Sequence, residues 1–188
     1  KNLPVPILPT MVGAFTLSNV YSGMGYTWIR HITAWAAIAV ILSYILKICF
    51  HFDTVKKEYS NTIPASLYAG FTMLTMILGS YFYNASPVFG KTLWFVGLIL
   101  HAIQILVFTY NNVIKNFNMQ TFVPSWFVTY NGIMVSTVVG GVMNEPLIGK
   151  IVVYYGIAVF TVIIPFMIYR LAKHEIKDPV YHTQAILL

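Results

Sequence analysis

Residues 151–169 read IVVYYGIAVFTVIIPFMIY, nineteen positions without Asp, Glu, Lys or Arg. A helix crosses the hydrocarbon core of a bilayer in about 20 apolar residues. The alternative spanning structure is a closed barrel, whose strands alternate polar and apolar residues over ~10 positions. Val152–Ile168 is apolar nearly all round, and so is Ile32–Leu46, so the barrel is excluded. Working outward, five more charge-free runs precede this one, at 2–29, 31–46, 59–90, 92–114 and 116–144. Lys47, at the end of the second, reaches the interface along its own aliphatic stem. The runs predict an all-α integral membrane protein with six transmembrane helices, at about 5–25, 29–50, 63–83, 88–110, 123–143 and 147–170, in a single transmembrane domain over 1–188. Short connections predict that sequential helices pack as three antiparallel hairpins.

The composition of the whole chain agrees. Of 188 residues, 58% are hydrophobic and only 9% charged, against about 25% charged in a soluble domain. High hydrophobicity and low charge exclude disorder. Twelve Gly and a single Cys, Cys49, exclude collagen-like and disulfide-rich scaffolds, and a lone Cys forms no internal disulfide. The first apolar run lacks the short core and small-residue cleavage site of a signal peptide. The net charge is +6, but the basic residues are scattered and form no patch for nucleic acid. They do divide by side. Lys1, Lys47, Lys56, Lys57, Lys115, Arg170, Lys173 and Lys177 fall on the side of the N-terminus; Arg30, Lys91 and Lys150 fall on the other. Eight against three places the first side in the cytoplasm, so the basic excess reads as a topology signal.

A repeat organises the chain. Ile7-Leu8-Pro9-Thr10, Thr62-Ile63-Pro64-Ala65 and Phe122-Val123-Pro124-Ser125 open the first, third and fifth helices alike, and small and polar residues follow each Pro. The prolines are 55 and 60 residues apart, so the unit is one pair of helices. Even helices two and six are richer in Ala, Ile, Val and Leu, as an outer, lipid-facing layer requires. A Pro inside a span frees a carbonyl and bends the helix, which is tolerated where the helix faces protein or a water-filled cavity. A Pro in the first turn merely starts one. The repeat predicts an inner ring of kinked odd helices, although their Gly and Ser also suit plain close packing.

These segments carry a family resemblance. Leu3-Pro4 with Pro9-Thr10-Met11-Val12-Gly13-Ala14-Phe15 resembles the opening of the tellurite-resistance/dicarboxylate transporter (TDT) family, TehA-like and plant slow-anion-channel-like proteins included. Val123-Pro124-Ser125-Trp126-Phe127-Val128, Gly132-Ile133 and Asp178-Pro179-Val180-Tyr181-His182-Thr183 fit it too. The resemblance implies ten helices as five hairpins around a central pore, with odd helices inner and Pro-kinked and even helices outer. It implies a homotrimer with one pore per subunit in a bacterial cytoplasmic membrane, and a pore-occluding Phe on the ninth helix. Six helices would be the N-terminal portion. The pore-lining or helix-kink candidates are Pro9, Gly13, Phe15, Pro64, Gly70, Phe71, Pro124, Gly132 and Ser136. Phe15 and Phe71 follow their prolines by six and seven residues; the third repeat departs, with Tyr130 and Asn131. A further repeat step from Pro124 lands near the apolar tail Ala185-Ile186-Leu187-Leu188, so a small residue and Pro opening a seventh helix are expected after it.

Site chemistry of other kinds is missing from the sequence. Of five His, only His101 lies well inside a predicted span, His31 falling at the very start of the second, so no facing pair is available to hold a haem there. With Gln104 one turn away, His101 reads as a hydrogen-bonded buried polar residue. Asp53, Glu58, Glu145, Glu175 and Asp178 all lie at ends or in loops, whereas a coupled transporter usually keeps an acid in the membrane. No phosphate loop, metal-ligand spacing or catalytic triad is present, so no enzyme, metal or cofactor is expected. Hydroxyls, backbone N–H groups and helix ends suffice for an anion pore, since conduction needs weak binding. The expected function is transport of a small inorganic or dicarboxylate anion (C4-dicarboxylate, tellurite, sulfite or halide) by a channel or exporter. The alternatives are a proton-coupled C4-dicarboxylate transporter and a membrane assembly subunit without a pathway.

Overall fold

The computed structural model describes residues 2–175, and among these every regular element is helical. Helix α1, Ile7–Gly23, leads through a turn at Met24–Tyr26 into α2, Thr27–Phe50. Gly25 makes that turn at φ +99, a conformation open to Gly without steric cost. A short amphipathic helix, α3, Phe52–Tyr59, follows directly. Helices α4, Thr62–Leu67, and α5, Ala69–Tyr83, form one rod interrupted at Tyr68. Ser86 caps α6, Pro87–Thr109, which continues through a π turn at Tyr110–Lys115. A 3-10 turn at Met119–Thr121 precedes α7, Trp126–Tyr130, and α8, Val135–Val138, with 3-10 turns at Gly132–Met134 and Gly140–Met143. The last described helix is α9, Pro146–Lys173.

Among the described residues, four helices are long and apolar enough to cross a membrane: Thr27–Phe50, Thr62–Tyr83, Pro87–Lys115 and Pro146–Lys173. The chain is an integral membrane protein. The expected first helix is present as 17 residues, about 25 Å of rise. The expected fifth helix, 123–143, is not one helix but α7, α8 and their flanking 3-10 turns. Its residues explain why: Gly132, Gly140 and Gly141 each disfavour a helix interior by about 1 kcal/mol relative to Ala, and donors on α6 draw off its carbonyls, as described below. The prolines are not the bend points expected of them. Pro9 and Pro64 sit in the first turns of α1 and α4, where a missing N–H leaves no bond unmade. Pro124 precedes α7. The interruptions come downstream, at Tyr68 and Asn131. Asp178–Thr183, Ala185–Leu188 and the expected seventh-helix opening lie outside the described residues.

The third stretch is the central one. In its apolar window 67% of residues are buried, against 22%, 28% and 17% in the windows of α2, α6 and α9. The described residues therefore leave most of the surface of those three uncovered. Apolar burial drives little association inside a bilayer, so close backbone approach has to supply it. Glycines provide that approach between α5 and α6. A Cβ on Gly79 would lie 2.7 Å from Trp94 N, one on Gly90 2.5 Å from Tyr83 Cα, and one on Gly97 2.9 Å from Met76 N. On the other side, α1 packs against α2 and α5.

Candidate functional site

In lipid every backbone polar group needs a partner within the protein, so an interrupted helix has to be met by donors from elsewhere. Helix α6 supplies them from one buried face. Gln104 Nε2 donates to Ala65 O at 3.2 Å, His101 Nε2 to Thr129 O at 2.8 Å, and Trp94 Nε1 to Ser136 O at 3.1 Å. An unbroken helix would give these three carbonyls to residues 69, 133 and 140. The chain is interrupted just ahead of each, at Tyr68, at Asn131–Gly132 and at Val139–Gly140. Gln104, His101 and Trp94 lie three and seven residues apart, which keeps them on one side of α6. Around His101 the fit is close. Its Nδ1 meets Thr72 Oγ1 at 2.6 Å, and the same hydroxyl has Ala69 O as its alternative acceptor at 2.8 Å. A Cβ on Gly132 would stand 2.8 Å from His101 Cε1, so only Gly leaves the ring its place. Hydroxyls extend the network: Thr129 donates to Ser66 O, and Ser66 to Ser125 Oγ.

At one end of this network the lead-ins to the first, third and fifth stretches converge on a cavity of about 1070 Å³. Pro6 comes from the first, Asn61, Thr62 and Pro64 from the third, and Asn118 and Thr121 from the turn before the fifth. The π turn helps to hold this end together, because it presents Asn112, whose Oδ1 accepts from Thr62 Oγ1 at 2.7 Å. Glu58 is the charged residue among those lining the cavity. Lys47 Nζ donates to both its oxygens at 2.8 Å, and Tyr68 OH donates to Oε2 at 2.6 Å. Lys47 also donates to Leu3 O, and Tyr44 OH to Pro4 O, which fixes the segment before α1. The cavity thus offers amides and hydroxyls, with its one carboxylate already matched by a cation.

The residues singled out in the sequence are dispersed along the three odd stretches. Pro64 lines the cavity. Pro9 and Leu8 touch Gly70 so closely that a Cβ there would lie 2.8 Å from Pro9 N. Phe15 is fully buried, edge-on to Tyr81 at 6.2 Å between centroids. Phe71 is half-buried, Pro124 is buried, and Gly13 faces open space. Ser136 is buried at the opposite end, beside a smaller cavity of about 260 Å³ with Asn144 and Glu145, and its Oγ has no partner among the described residues. Sequence reasoning did not single out Asn61, Asn118 or Thr121, and it read Thr62 only as part of the repeat that opens the third helix. The available signal was that Ser60-Asn61-Thr62 and Asn116–Thr121 flank two of the three repeated prolines. A further cleft of about 550 Å³, between α9 and the stretch from Thr109 to Tyr130, is lined mainly by apolar side chains and offers little to an anion.

Residues 7–188 match the model of one protein family, described as voltage-dependent anion channel. No curated protein matches the chain.

Proposed function

The chain belongs to the voltage-dependent anion channel family, which embraces the TDT proteins, and from that membership we propose that it conducts a small inorganic or dicarboxylate anion down its own electrochemical gradient. The observation that carries this reading is the cavity where the three stretches open. Its walls offer Asn and Thr groups that bind an anion weakly, as conduction requires. The proposed path runs from there along the interrupted third and fifth stretches to the smaller cavity beside Ser136. Pro9, Phe15, Gly70, Phe71, Pro124 and Gly132 shape it by setting how the odd stretches pack, and Gly13, on an open face of α1, leaves room beside it. We further propose odd helices inside and even helices outside, a cytoplasmic N-terminus in a bacterial inner membrane, and three subunits each with its own path. Flux of chloride, sulfite and malate into liposomes bearing the full-length protein tests this. An anion gradient alone should drive uptake, and a requirement for a proton gradient would refute the channel reading.

One observation favours a second reading. Glu58 is an acid at a polar cavity, where a proton-coupled dicarboxylate carrier would need one. In that case Glu58→Gln, made with Lys47→Met to keep the charge balanced, would uncouple malate uptake from the proton gradient. A channel would keep its flux.

A further inference from the structure

Two of the lysines that count toward topology in the sequence meet in the structure. Helix α3 begins two residues after α2 ends, and its face carrying Phe52, Lys56 and Tyr59 turns toward the π turn that ends at Lys115. Between them lies a cavity of about 630 Å³, with Lys56 on one wall and Lys115 on the other. Asn111, Asn116 and Ser60 add amide and hydroxyl groups. No acid is among the described residues lining it. Glu58 is turned to Lys47 and Tyr68, and Asp53 is exposed outside it.

We propose that this cavity binds the phosphate group of an anionic phospholipid. Two cations with neutral donors between them suit a phosphate diester. The position suits a lipid, since the cavity lies where two membrane-spanning helices end and hydrocarbon gives way to headgroups. Helix α3 is amphipathic, as a helix lying in that plane is: Phe52, Val55 and Tyr59 share one face, Lys56 borders it, and Lys57 lies away from it. Phe50 and Phe52 stay 75% and 62% exposed beside the site, an apolar rim that acyl chains would cover and free phosphate would not need. Burial raises the Tyr59 hydroxyl above its ordinary value, so it remains a neutral group in this wall.

Native mass spectrometry of the full-length protein, titrated with phosphatidylglycerol, phosphatidylcholine or inorganic phosphate, tests the proposal. Phosphatidylglycerol should bind in preference to phosphatidylcholine. Lys56→Gln and Lys115→Gln should each weaken it about fivefold, the share of one lysine near an anionic surface. Lys57→Gln, outside the cavity, should leave it unchanged. Thermal unfolding of each variant confirms that it is folded. Equal binding of the two lipids would overturn the proposal. So would an equal loss with Lys57→Gln, which would mean diffuse attraction. Phosphate binding as tightly as lipid would also overturn it, because the ligand would then be a free anion.

Discussion

His101 shows how a membrane interior treats a polar side chain. It reads in the sequence as a buried, hydrogen-bonded residue, and the structure gives it the Thr129 carbonyl and the Thr72 hydroxyl as partners. Removing it strands that carbonyl, at a cost of about 1–3 kcal/mol. His101→Leu should therefore lower the unfolding temperature in detergent. His101→Gln keeps a donor and should preserve anion flux from pH 5 to 8. A flux that loses its pH dependence with Gln would mean that the ring titrates in transport. Lys47 and Glu58 follow a different rule, because an ion pair with one buried member is destabilised mostly by losing a single partner. The Lys47 side chain is 2% exposed and that of Glu58 25%. Lys47→Met should cost roughly 2–4 kcal/mol, and adding Glu58→Gln should recover part of it. Denaturation of the single and double variants measures the difference.

Among the elements, the glycine seam between α5 and α6 sets how near the central rod lies to its neighbour. Gly79→Ala puts a methyl against the Trp94 backbone and should destabilise by about 1–3 kcal/mol. Gly13→Ala meets nothing within 4 Å and should be neutral or slightly stabilising. Unfolding of the two variants side by side checks the contrast. The long helices were legible because α2, α6 with its π turn, and α9 contain the charge-free runs 31–46, 92–114 and 151–169, each bounded by charge. Helix α3 was not, since Phe52–Tyr59 carries Asp53, Lys56, Lys57 and Glu58 and reads as a loop until Val55 and Tyr59 find a surface. The broken fifth stretch was illegible for another reason. Its apolar residues satisfy a helix locally, and only the donors Trp94 and His101, 28 or more residues earlier, show which carbonyls leave the ladder. The repeated prolines marked where the odd stretches begin, and the breaks fall further along.

At the scale of the molecule, the uneven division of basic residues predicts which end faces the cytoplasm. With Cys49 replaced by Ser, a Cys at Asn84 should react with an impermeant reagent from outside, and one at Lys57 only after permeabilisation. The reverse pattern would turn the protein over. Family membership and the helical membrane architecture of the described residues agree with the charge-free runs and with the resemblance read from the sequence. The candidate site was only half legible, because its amides sit in turns that come together through long-range packing. If anions enter through the cavity at Asn61, Thr62 and Asn118, charge placed there has to act on them. The direct measurement is anion flux through a Cys49→Ser protein carrying Asn118→Cys, before and after attaching a negatively charged thiol reagent, with Val162→Cys in the apolar cleft as the control. Flux should fall sharply at Asn118 and hold at Val162; equal flux before and after modification at Asn118 would show that anions do not pass this way.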